Sequence, residues 1–450
     1  MPSRNRSSNN GSSQQPRRRS AKSRRGNSHA TATGSRSKAR SAAPAAPSTR
    51  QSRAKTQRSG NGSRSRRTSS ATRAGSRHSS STGNGTRKIR YAVIGLGYIS
   101  QVAVLPAFAN AKDNSTLTAL VSDDPQKLKQ LGARYKADLL CSYDQLDELF
   151  SSGAIDAVYI ALPNSMHAEY ARRAAEAGLH VLCEKPMAAT AIECERMIYA
   201  ARDRGVKLMV AYRLHFDPAN LEVMRLAQSG ALGDLRFFTS QFSMQVAPDN
   251  IRVQADMGGG PLYDIGIYCL NAARMMFAAE PTEVLATAVT HEDRRFTEVP
   301  ETVAAVMRFP DRRIASFTCS FGAAARSVYE VVGTKGSVTV DPAYEMTEPV
   351  AFDVRIGDRE QSHKQKQTDQ FGPELIYFSD CILHDREPEP SGEEGLADVR
   401  IIEAFNESIT SGRWVPLGSS QRSQRPTKQQ AIMKPAVHSP SLLHASEPMR

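Results

Sequence analysis

Between residues 90 and 211 the chain alternates short apolar runs with helix-like segments, and this alternation limits the fold more than any other feature of the sequence. The strand candidates are Tyr91–Ile94, Leu117–Val121, Ala157–Ile160, His180–Cys183 and Leu208–Ala211, and the helix-like segments between them include Ala168–Ala177 and Ala189–Arg204. The apolar runs lack an alternation of apolar and polar residues, which indicates strands buried on both faces. We therefore predict an α/β fold in which helices cover both faces of a parallel sheet.

After about residue 213 the pattern changes to longer runs in which apolar and polar residues alternate. The strand candidates there are Leu235–Met244, Thr302–Phe309, Arg313–Phe321, Ser327–Val332 and Ser337–Val340, and the helix candidates are Pro218–Gln228, Leu262–Phe277, Gln370–Leu383 and Leu396–Thr410. Alternation of this kind is typical of antiparallel strands with one face on a core. We predict an α+β domain with a large open, mostly antiparallel sheet over residues 213–418.

The two ends of the chain have a different composition. The whole chain has a net charge of +13, but residues 1–86 hold 20 of the 59 basic residues and no acidic residue, so the remainder has a net charge of −7. Residues 1–86 also contain no Val, Ile, Leu, Phe, Tyr, Trp or Cys. Such a segment cannot bury enough apolar surface to offset the entropy of ordering, so we predict a disordered basic tail. Residues 419–450 are polar and predict an extended arm or loose tail.

Several features favour the cytoplasm. The basic start of the chain is followed by no apolar segment of the kind that an export signal needs, and no later run is long enough to cross a membrane. The six cysteines are far apart and form no C-x-x-C pair, which fits a reducing compartment and argues against a zinc module. We expect a cytoplasmic protein with no membrane segment and no metal site.

The first strand candidate leads directly into Gly95-Leu-Gly97-Tyr98-Ile99-Ser100, and a helix-like segment follows. In this pattern the first glycine permits a tight turn, and the second lets a pyrophosphate approach the backbone at a helix N-terminus. The third position holds Ser100 where Gly or Ala is usual. Because the turn opens a long α/β alternation, it predicts a Rossmann NAD(P)-binding domain over residues 87–212.

The end of the second strand is where such a domain distinguishes NADP from NAD. If Ser122 lies at the position that reads the ribose, its hydroxyl and Lys127 could contact a 2′-phosphate. If Asp123 turns inward instead, the free 2′-hydroxyl of NAD is favoured, and a third possibility is that Asp123 and Asp124 merely cap the next helix. The residues favour NADP and leave NAD possible.

Two further turns follow parallel strands, at Pro163-Asn164-Ser-Met-His167 and at Glu184-Lys185-Pro186. The carboxyl ends of the strands are where an open α/β sheet places its ligands. A third element, Gly258–Tyr268, contains Asp264 and Tyr268 at a spacing of four, which puts both on one helix face. A lysine ammonium, a carboxylate and a phenol in one pocket form a set that can transfer protons. We attribute the three consecutive glycines that precede them to close approach of a ligand.

These motifs resemble the Gfo/Idh/MocA oxidoreductases, and within them the glucose–fructose oxidoreductase branch. The resemblance covers about residues 88–418, and many members carry histidine where this chain has Tyr268. It implies that Lys185 and Tyr268 transfer protons and that Asp264 orients them or holds a sugar hydroxyl. It also implies that the second sheet forms a homodimer or homotetramer interface and that a sugar is the substrate. The implied substrate residues are Tyr212, Arg252, Asp264 and Tyr268. The implied dinucleotide residues are Gly95, Gly97, Tyr98, Ile99, Ser122, Lys127, Tyr143, Leu162, Pro163, Asn164, His167, Glu184, Lys185 and Arg213.

Three functions are consistent with these observations. The first is an NAD(P)-dependent oxidoreductase that acts on CH–OH groups of a sugar or polyol. The second is coupled transhydrogenation, in which one sugar is oxidised and another reduced on tightly held NADP. The third is a dinucleotide-sensing protein associated with nucleic acid, in which the basic tail makes weak contacts that depend on salt and not on base sequence.

Overall fold

The computed structural model describes residues 87–418, 424–438 and 440–449. The predicted disordered tail over residues 1–86 lies outside the described residues, as do residues 419–423, 439 and 450 of the predicted arm. Across the described part of the chain, no helix combines the length and the apolar character that crossing a membrane requires.

A six-stranded parallel sheet forms the first half of the described chain. Its strands are β1 (Ile89–Ile94), β2 (Ser115–Val121), β3 (Leu139–Cys141), β4 (Ala157–Ile160), β5 (His180–Glu184) and β6 (Leu208–Ala211), in the spatial order β3-β2-β1-β4-β5-β6. The five predicted strands are confirmed. The sixth, β3, escaped prediction because it has only three residues and its central Leu140 is exposed at the sheet edge.

Helices cover both faces of this sheet, as predicted. They are α1 (Leu105–Ala111, which continues a π-helical turn at Ser100–Val104), α2 (Pro125–Tyr135), α3 (Leu146–Ser151), α4 (His167–Glu176) and α5 (Ala191–Arg204). Local sequence sets several of the ends. The Asp124 side chain accepts from two backbone N–H groups at the start of α2, and Thr190 and Glu193 form a capping box on α5, which ends at Gly205 in a left-handed conformation.

The second half contains a nine-stranded sheet. Its strands are β7 (Leu235–Gln245), β8 (Glu283–Val289), β9 (Thr302–Phe309), β10 (Arg313–Ser320), β11 (Gly322–Gly333), β12 (Gly336–Val340), β13 (Ala351–Ile356), β14 (Arg359–Lys364) and β15 (Val415–Pro416), in the order β14-β13-β12-β11-β7-β10-β9-β8-β15. Only the β7–β10 pair is parallel, which confirms a mostly antiparallel sheet. The helices of this half are α6 (Pro218–Gln228), α7 (Ile267–Phe277, which continues a π-helical turn at Leu262–Gly266), α8 (Gly372–Leu383) and α9 (Gly392–Ser411).

The α8 helix follows β14 of the second sheet in the chain but packs against the first sheet. The Tyr91 hydroxyl of β1 lies 2.7 Å from the Ser379 hydroxyl of α8, and Leu375 and Phe378 share an apolar cluster with Tyr91 and Phe108. The first sheet is therefore completed by a helix that is distant in sequence. The boundary between the two predicted domains at residue 213 therefore stays a prediction.

The described residues 424–438 of the arm contact the rest of the chain at several points and include a 3-10 turn at Lys428–Gln430. Arg425 donates to Glu280, the backbone N–H of Asp369 donates to the Lys434 carbonyl, and Thr368 forms a β-bridge with Pro435. The described part of the predicted arm is thus held by hydrogen bonds at several points along its length.

Candidate active site

A cleft of about 440 Å³ lies at the carboxyl ends of the first sheet. It opens beside β1, where the strand order reverses between β2 and β4, which is the position that an open α/β sheet gives to its ligand. Every predicted site residue except Tyr212 lines this one cleft. They are Gly95, Gly97, Tyr98, Ile99, Ser122, Lys127, Tyr143, Leu162, Pro163, Asn164, His167, Glu184, Lys185, Arg213, Arg252, Asp264 and Tyr268.

The glycine turn after β1 has the geometry that a phosphate-binding loop needs. Gly95 has a φ of +91°, and a Cβ there would lie 2.5 Å from the Ala161 carbonyl oxygen, so only glycine fits. A Cβ on Gly97 would meet no atom within 4 Å, because that position faces the open cleft. The buried Ser100 hydroxyl donates to the Gly95 carbonyl at 2.6 Å, so the serine at the third motif position ties the turn together.

The end of β2 presents a hydroxyl and an ammonium group to the cleft. Ser122 and Lys127 both line the cleft, whereas Asp123 is exposed outside it and accepts a hydrogen bond from the Tyr143 backbone at 3.4 Å. Asp124 caps α2, as one of the alternatives above proposed. Asp123 therefore does not turn into the cleft, as the alternative that favours NAD required.

His167 lines the cleft, but its ring is fully committed to the protein. Its Nδ1 lies 2.8 Å from the Pro186 carbonyl oxygen and its Nε2 lies 2.9 Å from the Leu162 carbonyl oxygen. Burial lowers the pKa of His167, although the two carbonyl contacts oppose this. The ring therefore joins the turn after β4 to the turn after β5 and contributes to the cleft as a positioning group.

Gly258 and Gly259, the first two of the three consecutive glycines, are required by close packing within the chain. Gly259 also lines the cleft, so the close approach of a ligand at this point stays a prediction. A Cβ on Gly258 would lie 2.8 Å from the Asn164 Cβ, and one on Gly259 would lie 2.5 Å from the Arg252 carbonyl oxygen. The Asn164 side-chain amide also donates to the Gly258 carbonyl at 2.8 Å. This close approach brings the turn after β4 against the segment that carries Asp264.

Asp264 is the centre of an ion-pair network. Lys185 donates from Nζ to the Asp264 backbone oxygen at 2.7 Å and to its Oδ1 at 3.2 Å, and Arg252 donates from Nε to its Oδ2 at 2.6 Å. Burial alone raises the pKa of Asp264, but Arg252 and Lys185 outweigh it and lower that pKa to about 2. Burial correspondingly lowers the pKa of Lys185, and Asp264 reverses this, so that the net shift is upward. Both groups are therefore charged at neutral pH.

The Tyr268 hydroxyl is contacted by an arginine and not by the lysine. Arg213 donates from Nε to the Tyr268 hydroxyl at 3.3 Å, and the same guanidinium donates to the Gln370 side chain and the Tyr344 carbonyl. Lys185 Nζ lies 4.8 Å from the centre of the Tyr268 ring. The predicted lysine–phenol pair thus meets at the ring face, and Arg213 is the cation that contacts the phenol oxygen.

Glu184 reaches the cleft from the end of β5. Its Oε1 accepts from the Tyr159 hydroxyl at 2.9 Å and its Oε2 accepts from the Lys185 backbone at 3.3 Å. Burial raises the pKa of Glu184, partly offset by Lys185. Glu374 of α8, whose two carboxyl oxygens are buried without a hydrogen-bond partner, has its pKa raised well above the usual range by burial and then by Glu184. A neutral Glu374 thus lies behind the charged end of the cleft.

Tyr212 does not line this cleft but a small neighbouring pocket that Lys185 and Tyr268 also line, so its implied role as a substrate residue stays a prediction. Its hydroxyl donates to Asp398 at 2.6 Å, and Asp398 also accepts from Asn271 and from the fully buried Arg274. Tyr212 therefore belongs to a buried polar network that supports the floor of the site.

Sequence reasoning missed a largely apolar part of the cleft wall. It consists of Phe242, Met244, Ile251, Met257, Tyr344, Met346, Phe371 and Met449, together with Pro448 and the carboxyl group of Glu345. These residues come from β7, from loops and from the arm, and no motif marks them. A burial pattern along β7 could have placed Phe242 and Met244 on the inner face, but not in the cleft.

A second, larger concavity of about 790 Å³ lies over the outer face of the nine-stranded sheet. Its lining is mostly small and apolar side chains and hydroxyls, such as Thr239, Val306 and Thr318. Arg326, Tyr329 and Glu330 also line it, but Arg326 pairs with Asp341 and the Tyr329 hydroxyl donates to Asn220.

Comparison with known proteins agrees with this geometry. Residues 89–212 match the model of the Gfo/Idh/MocA oxidoreductase family with an NAD-binding Rossmann fold, and residues 220–339 match a C-terminal domain of the same family. D-xylose 1-dehydrogenase [NADP(+)] of Haloarcula marismortui is 33% identical over 328 residues, which are 71% of this chain and 91% of the relative.

Solved structures are similar over the same region. An aldose-aldose oxidoreductase from Caulobacter crescentus, complexed with glycerol, has 38% identity and a TM-score of 0.71, and the match covers 74% of this chain and 100% of that one. A 3-ketoreductase from Actinomadura kijaniata, in complex with NADP and TDP-benzene, has 28% identity and a TM-score of 0.65, with coverage of 72% and 98%. The glycine turn, the Lys185–Asp264 pair and both matched domains thus lead to one conclusion: the chain belongs to the Gfo/Idh/MocA family of NAD(P)-dependent oxidoreductases.

Proposed function

We propose that the protein transfers hydride between a nicotinamide dinucleotide, preferentially NADP, and a carbon of an uncharged sugar or polyol. The observation that carries this proposal is the convergence of Lys185, Asp264 and Tyr268 in the cleft that begins at the Gly95–Gly97 turn. When bound, the nicotinamide supplies the hydride acceptor or donor. The residues of the chain bind the two reactants and move the proton.

Tyr268 is the group that exchanges the proton of the substrate hydroxyl. Its oxygen already accepts a hydrogen bond from Arg213, so its own O–H remains for the substrate, and the guanidinium stabilises the phenolate that forms when the proton leaves. Lys185 has three N–H donors, of which Asp264 accounts for two. The third is available to an oxygen that gains negative charge as hydride departs or arrives.

Charge in the substrate part of the cleft favours a neutral substrate. Arg252 and Lys185 are paired with Asp264, and Arg213 is held by Gln370 and Tyr344, while Glu345 adds a carboxyl group to the wall. A phosphorylated or nucleotide-linked sugar would need cations that are not already paired. Relatives of this chain include both the NADP-dependent D-xylose dehydrogenase and dTDP-sugar 3-reductases, so the distinction matters.

The preference for NADP rests on Ser122 and Lys127 in the cleft and on Asp123 outside it. The test is to measure Kd for NADP and NAD and then to follow NADP reduction at 340 nm with D-xylose, D-glucose, other aldoses and a dTDP-sugar. Reduction by an aldose and not by the dTDP-sugar supports the proposal. If no aldose reduces NADP, the assignment of an uncharged sugar substrate is wrong. If NAD binds more tightly than NADP, the preference for NADP is wrong.

A second candidate is coupled transhydrogenation, in which one sugar reduces the nucleotide and another reoxidises it without exchange. The similarity to the aldose-aldose oxidoreductase favours it, as do Pro448 and Met449 of the arm, which line the cleft. Mass spectrometry of the nucleotide released from purified, denatured protein distinguishes the two. NADP(H) that copurifies and does not exchange with added NADPH indicates coupled turnover, and free exchange indicates an ordinary dehydrogenase.

We further propose a cytoplasmic homodimer or homotetramer that associates through the outer face of the nine-stranded sheet. All six cysteines are unpaired, which fits a reducing compartment. Phe237 and Ile314, partners in the β7–β10 register, are both exposed on the outer face of that sheet. Light scattering after gel filtration tests the assembly, and Phe237→Glu should dissociate it because a charge would be buried at the interface.

A further inference from the structure

Residues 443–449, which we name the clasp, contact the helix that follows the phosphate-binding turn. Gln101, completely buried four residues after Gly97, donates from Nε2 to the Leu443 carbonyl at 2.9 Å and accepts from the Leu443 backbone N–H at 2.8 Å. The same Nε2 lies 2.9 Å from the carbonyl of Leu96, inside the turn. One buried side chain thus joins the clasp to the loop where the pyrophosphate is expected.

The next residue of the clasp contacts Asp124, which caps α2 between the cleft-lining residues Ser122 and Lys127. His444 Nδ1 lies 2.7 Å from Asp124 Oδ2, and the other oxygen of Asp124 accepts from the backbone N–H groups of Gln126 and Lys127. The φ of His444 is +47°, so the chain turns at this residue. The clasp is therefore anchored at both the phosphate turn and the start of α2.

The far end of the clasp is anchored on the second half of the molecule. The Ala247 backbone N–H donates to the Pro448 carbonyl at 3.0 Å, and Val246 and Met449 form an antiparallel β-bridge just beyond β7. Pro448 and Met449 both line the cleft. Seven consecutive residues thus run from the dinucleotide side of the cleft to its substrate side.

We propose that the clasp forms the outer wall of the dinucleotide site and slows the release of bound NADP(H), so that the nucleotide cannot leave until residues 443–449 detach. This inference rests on the proposed function, because it requires that the cleft bind a nicotinamide dinucleotide. The clasp is held by these hydrogen bonds and by the buried Pro448, whereas His444, Glu447 and Met449 remain exposed. Its anchors therefore control the rate of exchange without contributing to the proton transfer at Tyr268.

The test uses the full chain loaded with NADPH and chased with excess NADP, with release followed by nucleotide fluorescence in a stopped-flow instrument. Leu443→Pro removes the N–H that Gln101 accepts, and His444→Ala removes the contact with Asp124. Each should release NADPH about two- to tenfold faster, the change expected when one hydrogen bond that holds the closed state is lost. His438→Ala, at an exposed histidine outside the clasp, should release at the wild-type rate.

A crosslinked variant tests the same idea without weakening any contact. Cα atoms of antiparallel bridge partners lie about 4.5–5.5 Å apart, which suits a disulfide, so Val246→Cys with Met449→Cys should lock the clasp. Oxidation should slow NADPH release and reduction should restore it. If neither the single substitutions nor the oxidised disulfide changes the rate of NADPH release, the proposed role of the clasp is wrong, while the proposed function of the enzyme still stands. Failure of the wild type to bind NADPH would instead overturn the proposed function, and the clasp with it.

Discussion

Lys185 Nζ lies 2.7 Å from the backbone oxygen of Asp264 and 3.2 Å from its carboxylate, although 79 residues separate the two in the chain. This double contact holds the ammonium group over the Tyr268 ring and leaves one N–H for a substrate oxygen. The arrangement allows the role of each group to be tested separately.

Lys185→Met should abolish most turnover while leaving the fold intact. The loss of the ammonium removes the group that stabilises charge on the substrate oxygen, and we expect kcat to fall by about 10²- to 10⁴-fold. Lys185→Arg keeps the charge near Asp264 and should retain more activity than Lys185→Met. Steady-state kinetics with saturating NADP measure both, and equal activity of Lys185→Met and the wild type would exclude the proposed role.

Tyr268→Phe should reduce kcat by about 10²- to 10⁴-fold, because the ring remains but the proton donor is gone. Tyr268→His should recover part of the activity with a pH–rate midpoint near the imidazole range of about 6.5. The matched control is Tyr263→Phe, since Tyr263 lies on the π-helical turn that precedes α7, with its hydroxyl facing Asn406 outside the cleft. A Tyr268→Phe variant with wild-type turnover and pH profile would contradict proton transfer at this residue.

Asp264 should contribute stability that disappears in acid. Its pKa is lowered to about 2 in the folded state, against an ordinary value of 3.8. A carboxylate with a depressed pKa stabilises the fold above its unfolded pKa and loses that contribution as the pH falls through the folded pKa. The difference in unfolding free energy between the wild type and Asp264→Asn should thus shrink by about 2 kcal/mol between pH 4 and pH 2. Urea unfolding across this range measures it, and a constant difference would argue against the ion-pair origin of the shift.

Alanine at the two glycines of the turn should have opposite effects. Gly97→Ala places a methyl group where no protein atom lies within 4 Å, so the melting temperature should hardly change while NADP binding weakens about tenfold or more. Gly95→Ala requires φ of +91° and a contact of 2.5 Å with a backbone oxygen, so it should destabilise the fold. Thermal unfolding and Kd measured on both variants check this reciprocal pattern. If Gly97→Ala binds NADP as tightly as the wild type, the pyrophosphate does not lie at the Gly95–Gly97 turn.

Lys127→Ala should weaken NADP by about 10- to 100-fold and leave NAD nearly unchanged, because a charged hydrogen bond to a 2′-phosphate contributes about 1.5–3 kcal/mol. Lys129→Ala is the control, since Lys129 lies exposed on the same helix and outside the cleft. Fluorescence titration with NADPH and NADH gives both constants. An equal loss for the two nucleotides would mean that Lys127 contacts a phosphate common to both.

Local sequence predicted helices and strands well where the apolar residues recur regularly and where capping residues or proline mark the ends. The helix Pro218–Gln228 and the strand Thr302–Phe309 were predicted to the residue, since a proline after a capping aspartate and a regular alternation mark their limits. The short edge strand β3 and the outer hairpin of β13 and β14 were missed. Their residues are too few or too polar to stand out, and pairing with a neighbouring strand is what makes them strands.

By itself the sequence determined the parallel first sheet, the Gly95–Gly97 turn and the shared face of Asp264 and Tyr268, because each depends on residues close together in the chain. Only the tertiary structure decided that Arg213 contacts the Tyr268 hydroxyl, that Tyr212 points into a buried network, and that Leu443 pairs with Gln101 across 342 residues. Such contacts depend on how distant elements pack against one another. No periodicity or spacing within a single element carries that information.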